Sequence, residues 1–321
     1  MSIGSYAVLA AAVLCGALPA AAQTYPAKPI RIVVPFPAGG IADVYARLIG
    51  ARVGETWGQP VVVENRTGAG GNIGADAVAK SAPDGYSLVM SASGPHAVNV
   101  SLFSKMPYDP VRDFSPIALV LEAEGLLVLH PSVAVTTVPD LIALARANPG
   151  RLTFASAGMG TASHLAGELF KSMAKVEMTH VPYKGNVPAI TDLLAGQTSL
   201  LFATMPTVLP HAKAGKLHAL ATIGSARASA TPELPTVGES LPGFEVSNWI
   251  ALFAPAGTPP DIVKRWNAEV NRVMQSPEIQ ARLPGEGARF PPNTPDQFAA
   301  FVKSEIAKWA PVVKVSGARV D

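Results

Sequence analysis

Residues 30–54 read IRIVVPFPAGGIADVYARLIGARVG, and two periodicities meet inside them. The first seven residues form a short apolar run carrying the β-branched Ile30, Ile32, Val33 and Val34, the pattern of a strand covered on both faces. Beyond Pro37-Ala38-Gly39-Gly40 the spacing changes. Ile41, Val44, Tyr45, Leu48, Ile49 and Val53 fall on one face of a helix, which Gly58 can close. A strand over 61–64, a helix around 73–80, a Pro83-Asp84-Gly85 turn and a strand over 86–91 continue the pattern. This β-α-β-α-β order predicts right-handed crossovers and a largely parallel sheet.

The alternation resumes further along. Strands are expected at 126–129, 152–156, 178–181, 200–202 and 219–223, with helices between them, and one more strand at 249–253. Thr137 reads as an N-cap with Asp140 three residues on. Thr258, Ser276 and Thr294 each place a hydroxyl before a proline in a helix's first turn, and Phe298, Phe301, Val302, Ile306 and Trp309 form the buried stripe of a final helix. Two similar α/β halves with a helical tail account for the order of elements.

The 321 residues suffice for two domains, each with its own core. Charged side chains make up 15% and the formal net charge is +2, so no electrostatic footprint for a nucleic acid or an acidic membrane exists. Residues 1–22 carry no charge, are nearly continuously apolar over 7–18, and end on Ala20-Ala21-Ala22, the small-x-small pattern of a signal-peptidase site. Export to the periplasm is therefore expected. The sole cysteine, Cys15, lies in that segment behind Leu14, which does not suit lipid attachment, and residues 23–321 contain no thiol.

Catalytic motifs are missing: the chain has no G-x-S-x-G elbow, no H-E-x-x-H and no Walker lysine loop. The glycine run 68–74 has Ile73 where a dinucleotide fingerprint needs its third glycine, so it reads as a tight turn and no cofactor is expected. Six histidines lie scattered without an i, i+4 pair, and no metal site is expected. What recurs instead is a small-residue loop between a strand and a helix. Phe36, Ala38, Gly39 and Gly40 belong to the first, Ser91 and Ser93 to the second, and Ser156, Met159 and Thr161 to the third. Helix N-termini offer unpaired N–H groups and a positive dipole end, glycine admits a carboxylate to the backbone, and hydroxyls add donors. Converging at the carboxyl edges of two sheets, such loops predict an anion-binding cleft.

These residues are similar to a known family. Residues 25–40 with Asp43, the Val63-Glu64-Asn65-Arg66 stretch with the glycine run, Pro83 to Tyr86, Tyr108-Asp109-Pro110, the 156–161 and 164–169 segments, His180 to Gly185, and 254–259 together resemble the Bug family, the TctC-like substrate-binding components of tripartite tricarboxylate transporters. The resemblance covers nearly the whole chain after the leader. It implies an α/β fold of the type II periplasmic binding protein kind, two lobes with a ligand cleft between them: 23–125 and 246–321 in lobe one, 126–245 in lobe two, joined through strands at 126–129 and 249–253. It also implies capture of a small carboxylate by lobe closure and delivery to an integral-membrane permease. Nothing in the sequence indicates an oligomer, and a monomer is expected. A ligand sensor for a signalling partner, or a periplasmic carboxylate-processing enzyme, would use the same cleft. Where many relatives carry an Asp after the 200–202 strand, this chain has Ala203, followed by Thr204. That departure leads away from an amino acid and toward an aromatic or aliphatic carboxylate.

Overall fold

The computed structural model describes residues 25–224, 226–228, 230–246, 248–316 and 319–320. The expected leader at 1–22 lies outside them. Helix α1 (Ile41–Trp57) follows strand β1 (Ile30–Val34). Gly58 ends it with left-handed backbone, φ 69°, its N–H donated to the Gly54 carbonyl. Then come β2 (Val61–Asn65), α2 (Asn72–Ala79) and β3 (Ser87–Ala92), with β1 paired in parallel to both other strands. A π-turn over Gly94–Val98 leads into the short α3 (Asn99–Leu102).

From here the sheet departs from the parallel arrangement that the local periodicity predicts. A ten-residue strand, β4 (Phe114–Ala123), and the late β10 (Asn248–Pro255) join it antiparallel to one another, and β10 is antiparallel to β3. With the two-residue β11 (Ala288–Arg289), the order is β11-β4-β10-β3-β1-β2. Pro116 obscures β4 in the sequence. It is tolerated because it meets Phe253 next to a register shift, where the ladder is already interrupted.

Only Glu124 separates β4 from β5 (Gly125–Leu129), the first strand of the second sheet. Its N–H donates to Gly287 on one side and its carbonyl accepts from the Met205 N–H on the other. The second half supplies α4 (Val138–Ala147), β6 (Thr153–Ser156), α5 (Ala162–Ala174), β7 (Thr179–Pro182), α6 (Asn186–Leu194), β8 (Leu200–Thr204), α7 (Met205–Lys213) and β9 (His218–Thr222). They form a five-stranded sheet ordered β7-β6-β8-β5-β9, in which β5 runs antiparallel to both neighbours. The segment 126–129 is thus wholly a strand of this sheet, and 249–253 wholly a strand of the first.

The tail is α8 (Pro260–Met274), α9 (Pro277–Arg282) and α10 (Pro295–Ser316). Of the three hydroxyl starts, Thr294 forms a reciprocal box with Gln297, whereas Thr258 turns back to the Pro255 carbonyl and Ser276 makes no cap bond. Helix α10 packs on β4 and also on α5, so it spans both sheets. Its Glu305 accepts from the indole N–H groups of Trp249 and Trp309, all three residues buried. Among the described residues no helix is long and apolar enough to cross a membrane.

Candidate functional site

Between the two sheets lies a cavity of about 70 Å³. None of its lining residues carries a charged side chain. The first sheet contributes Phe36, Gly40, Ile41 and Ala42 from the β1–α1 junction, Ala92, Ser93 and Gly94 beyond β3, and Asn248, Trp249 and Ile250 of β10. Opposite stand Ala157, Thr161, Ala162 and Ser163 at the β6–α5 junction, Asn186 and Val187 opening α6, and Phe202 and Thr204 of β8.

Three helix starts, those of α1, α5 and α6, therefore meet at one uncharged hole, two from one lobe and one from the other. Each presents first-turn N–H groups that the helix itself cannot pair, at the positive end of its dipole. The β1–α1 loop is held by a buried carboxylate behind it. Asp43 accepts from the Gly39 N–H at 2.9 Å, from Arg47 and from Asn65, and Asn65 also donates to the Phe36 carbonyl. Burial alone would raise the Asp43 pKa. The hydrogen bonds from Arg47, Gly39 and Asn65 outweigh it and hold the carboxyl below its ordinary range.

Proton counting separates the hydroxyls. Thr161 donates to the Gly158 carbonyl at 2.7 Å, so at its 2.9 Å contact with Ser163 the serine must be the donor. Ser163 Oγ also accepts the Ala157 N–H. Both hydroxyl protons are thereby committed to the loop, and the backbone N–H groups of the α5 start are left to face a ligand. Thr207 donates to the Thr204 carbonyl, which leaves the Thr204 hydroxyl proton only a 3.2 Å contact with Thr207 to give up. The Asn186 Oδ1 is buried with no partner, and turning that amide would aim two donors inward.

Of the residues singled out by sequence, Phe36, Gly40, Ser93, Thr161 and Thr204 line the cavity. Ala38 and Gly39 lie exposed on the outer side of their loop. Ser91 is buried beneath, 2.9 Å from His96 Nδ1, and burial pushes that imidazole down to about 3. Ser156 lies behind its loop with His180, and Met159 lines a separate crevice beside Gly70. Ala203 is 2% exposed and packs with Leu126, Val128 and Leu193 on the far face of β8. Strand alternation is the reason: Phe202 and Thr204 point one way, so Ala203 points the other. Sequence reasoning missed Asn186, Asn248 and Trp249. A β7–α6 junction at Gly185-Asn186 was legible as one more strand-to-helix start; the two β10 residues had no such signal.

The serine–imidazole pair of an esterase is nominally present, Ser156 Oγ lying 2.7 Å from His180 Nε2. It does not line the cavity, and burial, with His164 and Lys171 adding, pushes His180 down to about 3, far from a useful general base. No group of three or more candidate metal ligands occurs among the described residues.

The comparisons with known proteins agree with this geometry. A family model described as "Tripartite tricarboxylate transporter family receptor" matches residues 45–318. Protein BugT of Bordetella pertussis is 42% identical over 306 residues, covering 95% of this chain and 94% of BugT. Two solved structures superpose closely: Rpa4515 of R. palustris with adipate, at a TM-score of 0.89 and 38% identity over 92% of this chain and 100% of that one, and MatC (Rpa3494) from Rhodopseudomonas palustris with bound malate, at 0.86 and 36% over 90% and 100%. With two mixed α/β lobes, an uncharged cavity ringed by helix starts and this breadth of likeness, the chain belongs to the TctC-like (Bug) family of periplasmic receptors of tripartite tricarboxylate transporters, a family of binding proteins and not of enzymes.

Proposed function

We propose that this protein captures a small aliphatic carboxylate, with C4–C6 dicarboxylates foremost, in the periplasm and passes it to the membrane partners of a tripartite transporter. The observation that carries the reading is the convergence of the α1, α5 and α6 starts on one uncharged cavity. An anion there is stabilised by oriented N–H groups and helix dipoles, with no counter-charge to compensate when it leaves. Malate in MatC and adipate in Rpa4515 support the ligand class. Ala203, turned away from the cavity, no longer argues for an aromatic ring. Ligand contacts to both lobes stabilise the closed arrangement, which is how binding becomes a signal to the permease. Export is supported by the 1–22 pattern and by the family.

A thermal-shift screen of residues 23–321 against malate, succinate, adipate, benzoate and glutamate tests the reading. A ligand at 100 times its Kd adds about 2.7 kcal/mol of stability. A shift with the aliphatic dicarboxylates alone is expected. Shifts confined to benzoate or glutamate overturn the ligand class, and no shift with any anion overturns the cleft assignment.

A further inference from the structure

Behind the 156–161 loop, on the side away from the cavity, two imidazoles sixteen positions apart in sequence stack with ring centroids 4.3 Å apart. His164 comes from the first turn of α5 and His180 from β7, and His180 rests in turn on the Phe154 ring. Each holds one end of the loop. The Gly160 N–H donates to His164 Nδ1 at 3.2 Å, and Ser156 Oγ, which accepts the Gly158 N–H, lies 2.7 Å from His180 Nε2. The first bond fixes a protonation state: Nδ1 of His164 can accept only while it carries no proton.

The loop held this way has two working faces. One carries Thr161, Ala162 and Ser163 to the cavity. The other meets the opposite lobe closely, through the Asn99 side chain and the Gly70 backbone. A Cβ on Gly160 would lie 2.2 Å from Asn99 Oδ1, and one on Gly70 would lie 2.2 Å from the Met159 carbonyl. A small rotation of the 158–160 peptides would displace the donors and break the seam together.

We propose that His164 and His180 are positioning residues of the binding site, a neutral dyad that sets the 156–161 loop in the shape that both ligand and opposite lobe require. The inference deepens the carboxylate-receptor reading and rests on it for its affinity readouts. Burial, with Lys171 adding, pushes His164 down to about 4, and Lys171 is itself paired with Glu168. The neutral form is thus insulated from ordinary periplasmic pH.

The test uses malate as probe in calorimetry, together with NMR of the ligand-free protein. Asn at 164 offers an acceptor near the place of Nδ1, and Gln at 180 offers a polar atom near that of Nε2. His164→Leu should weaken malate at least tenfold, whereas His164→Asn and His180→Gln should stay within about threefold, the difference being that of one lost hydrogen bond. As pH falls toward 4, wild-type affinity should drop relative to His164→Asn, a ratio from which protonation of the ligand itself cancels. The ¹⁵N shift of His164 Nδ1 at pH 7 should be that of an unprotonated acceptor, with the Gly160 amide protected from exchange. A protonated Nδ1, an unprotected Gly160 amide, His164→Leu binding like wild type, or His164→Asn binding as weakly as His164→Leu overturns the proposal. The NMR readouts stand even if no carboxylate binds, so a failure of the receptor reading is seen separately.

Discussion

At position 203 one methyl group decides where an acid can act. Ala203 packs between β5 and α6, whereas its neighbour Thr204 lines the cavity. Ala203→Asp therefore buries a carboxylate among Leu126, Val128 and Leu193 without creating an amino-acid site. Urea unfolding should show a loss of about 3 kcal/mol, the cost of an unpartnered polar group in an apolar place. Thr204→Val, by contrast, should leave stability nearly unchanged and weaken ligand about tenfold, the worth of one hydrogen bond. A stable Ala203→Asp protein that gains glutamate binding would reverse this assignment.

At the scale of the element, the β1–α1 junction depends on one carboxylate. Asp43 ties Gly39, Arg47 and Asn65 to the start of α1. Because its pKa is lowered in the folded protein, the stability it contributes is fully present above the unfolded value of about 3.9 and is lost as pH falls through the folded one. Asp43→Asn should cost about 2 kcal/mol at pH 7, in the range for hydrogen bonds to a charged group. Denaturation measured across pH should show the gap between variant and wild type closing below pH about 4. A gap that persists unchanged to pH 2 would mean that the loss is one of shape and not of charge.

For the whole molecule, the lobes meet through glycine. Gly94 is the informative position because its backbone is not left-handed, and a Cβ there would lie 3.2 Å from the Gly160 carbonyl across the cleft. Gly94→Val should fold with a ligand-free stability within about 1 kcal/mol of wild type, since its tightest contacts are with Gly160 and Thr161 of the opposite lobe, while it also narrows the cavity that Gly94 lines. Malate should then bind at least tenfold more weakly, and the fall in radius of gyration expected when malate is added to the wild type, read by small-angle X-ray scattering, should vanish. Undiminished compaction would show that the seam has slack that the geometry does not indicate.

Much of this architecture is local and was legible from residues alone. The change of period at Gly40, the turn at Gly58 and the small-residue starts of α1 and α5 all depend on neighbours within about four positions, so the chain states them directly. The motif resemblance reached the family and two-lobe fold by the same route. Long-range pairing was not legible. β4, with Pro116 inside it, becomes a strand only because β10, more than a hundred residues later, lies beside it with a register shift at the proline. The facing of Ala203 turned on a one-residue register in β8, which no composition reveals. Nor does spacing bring His164 to His180, or show that the hydroxyl protons of Thr161 and Ser163 are already spent. Local periodicity is set by the geometry of one helix or strand; which side chains share a cavity is set by how separate strands and helices pack, and only the tertiary structure decides that.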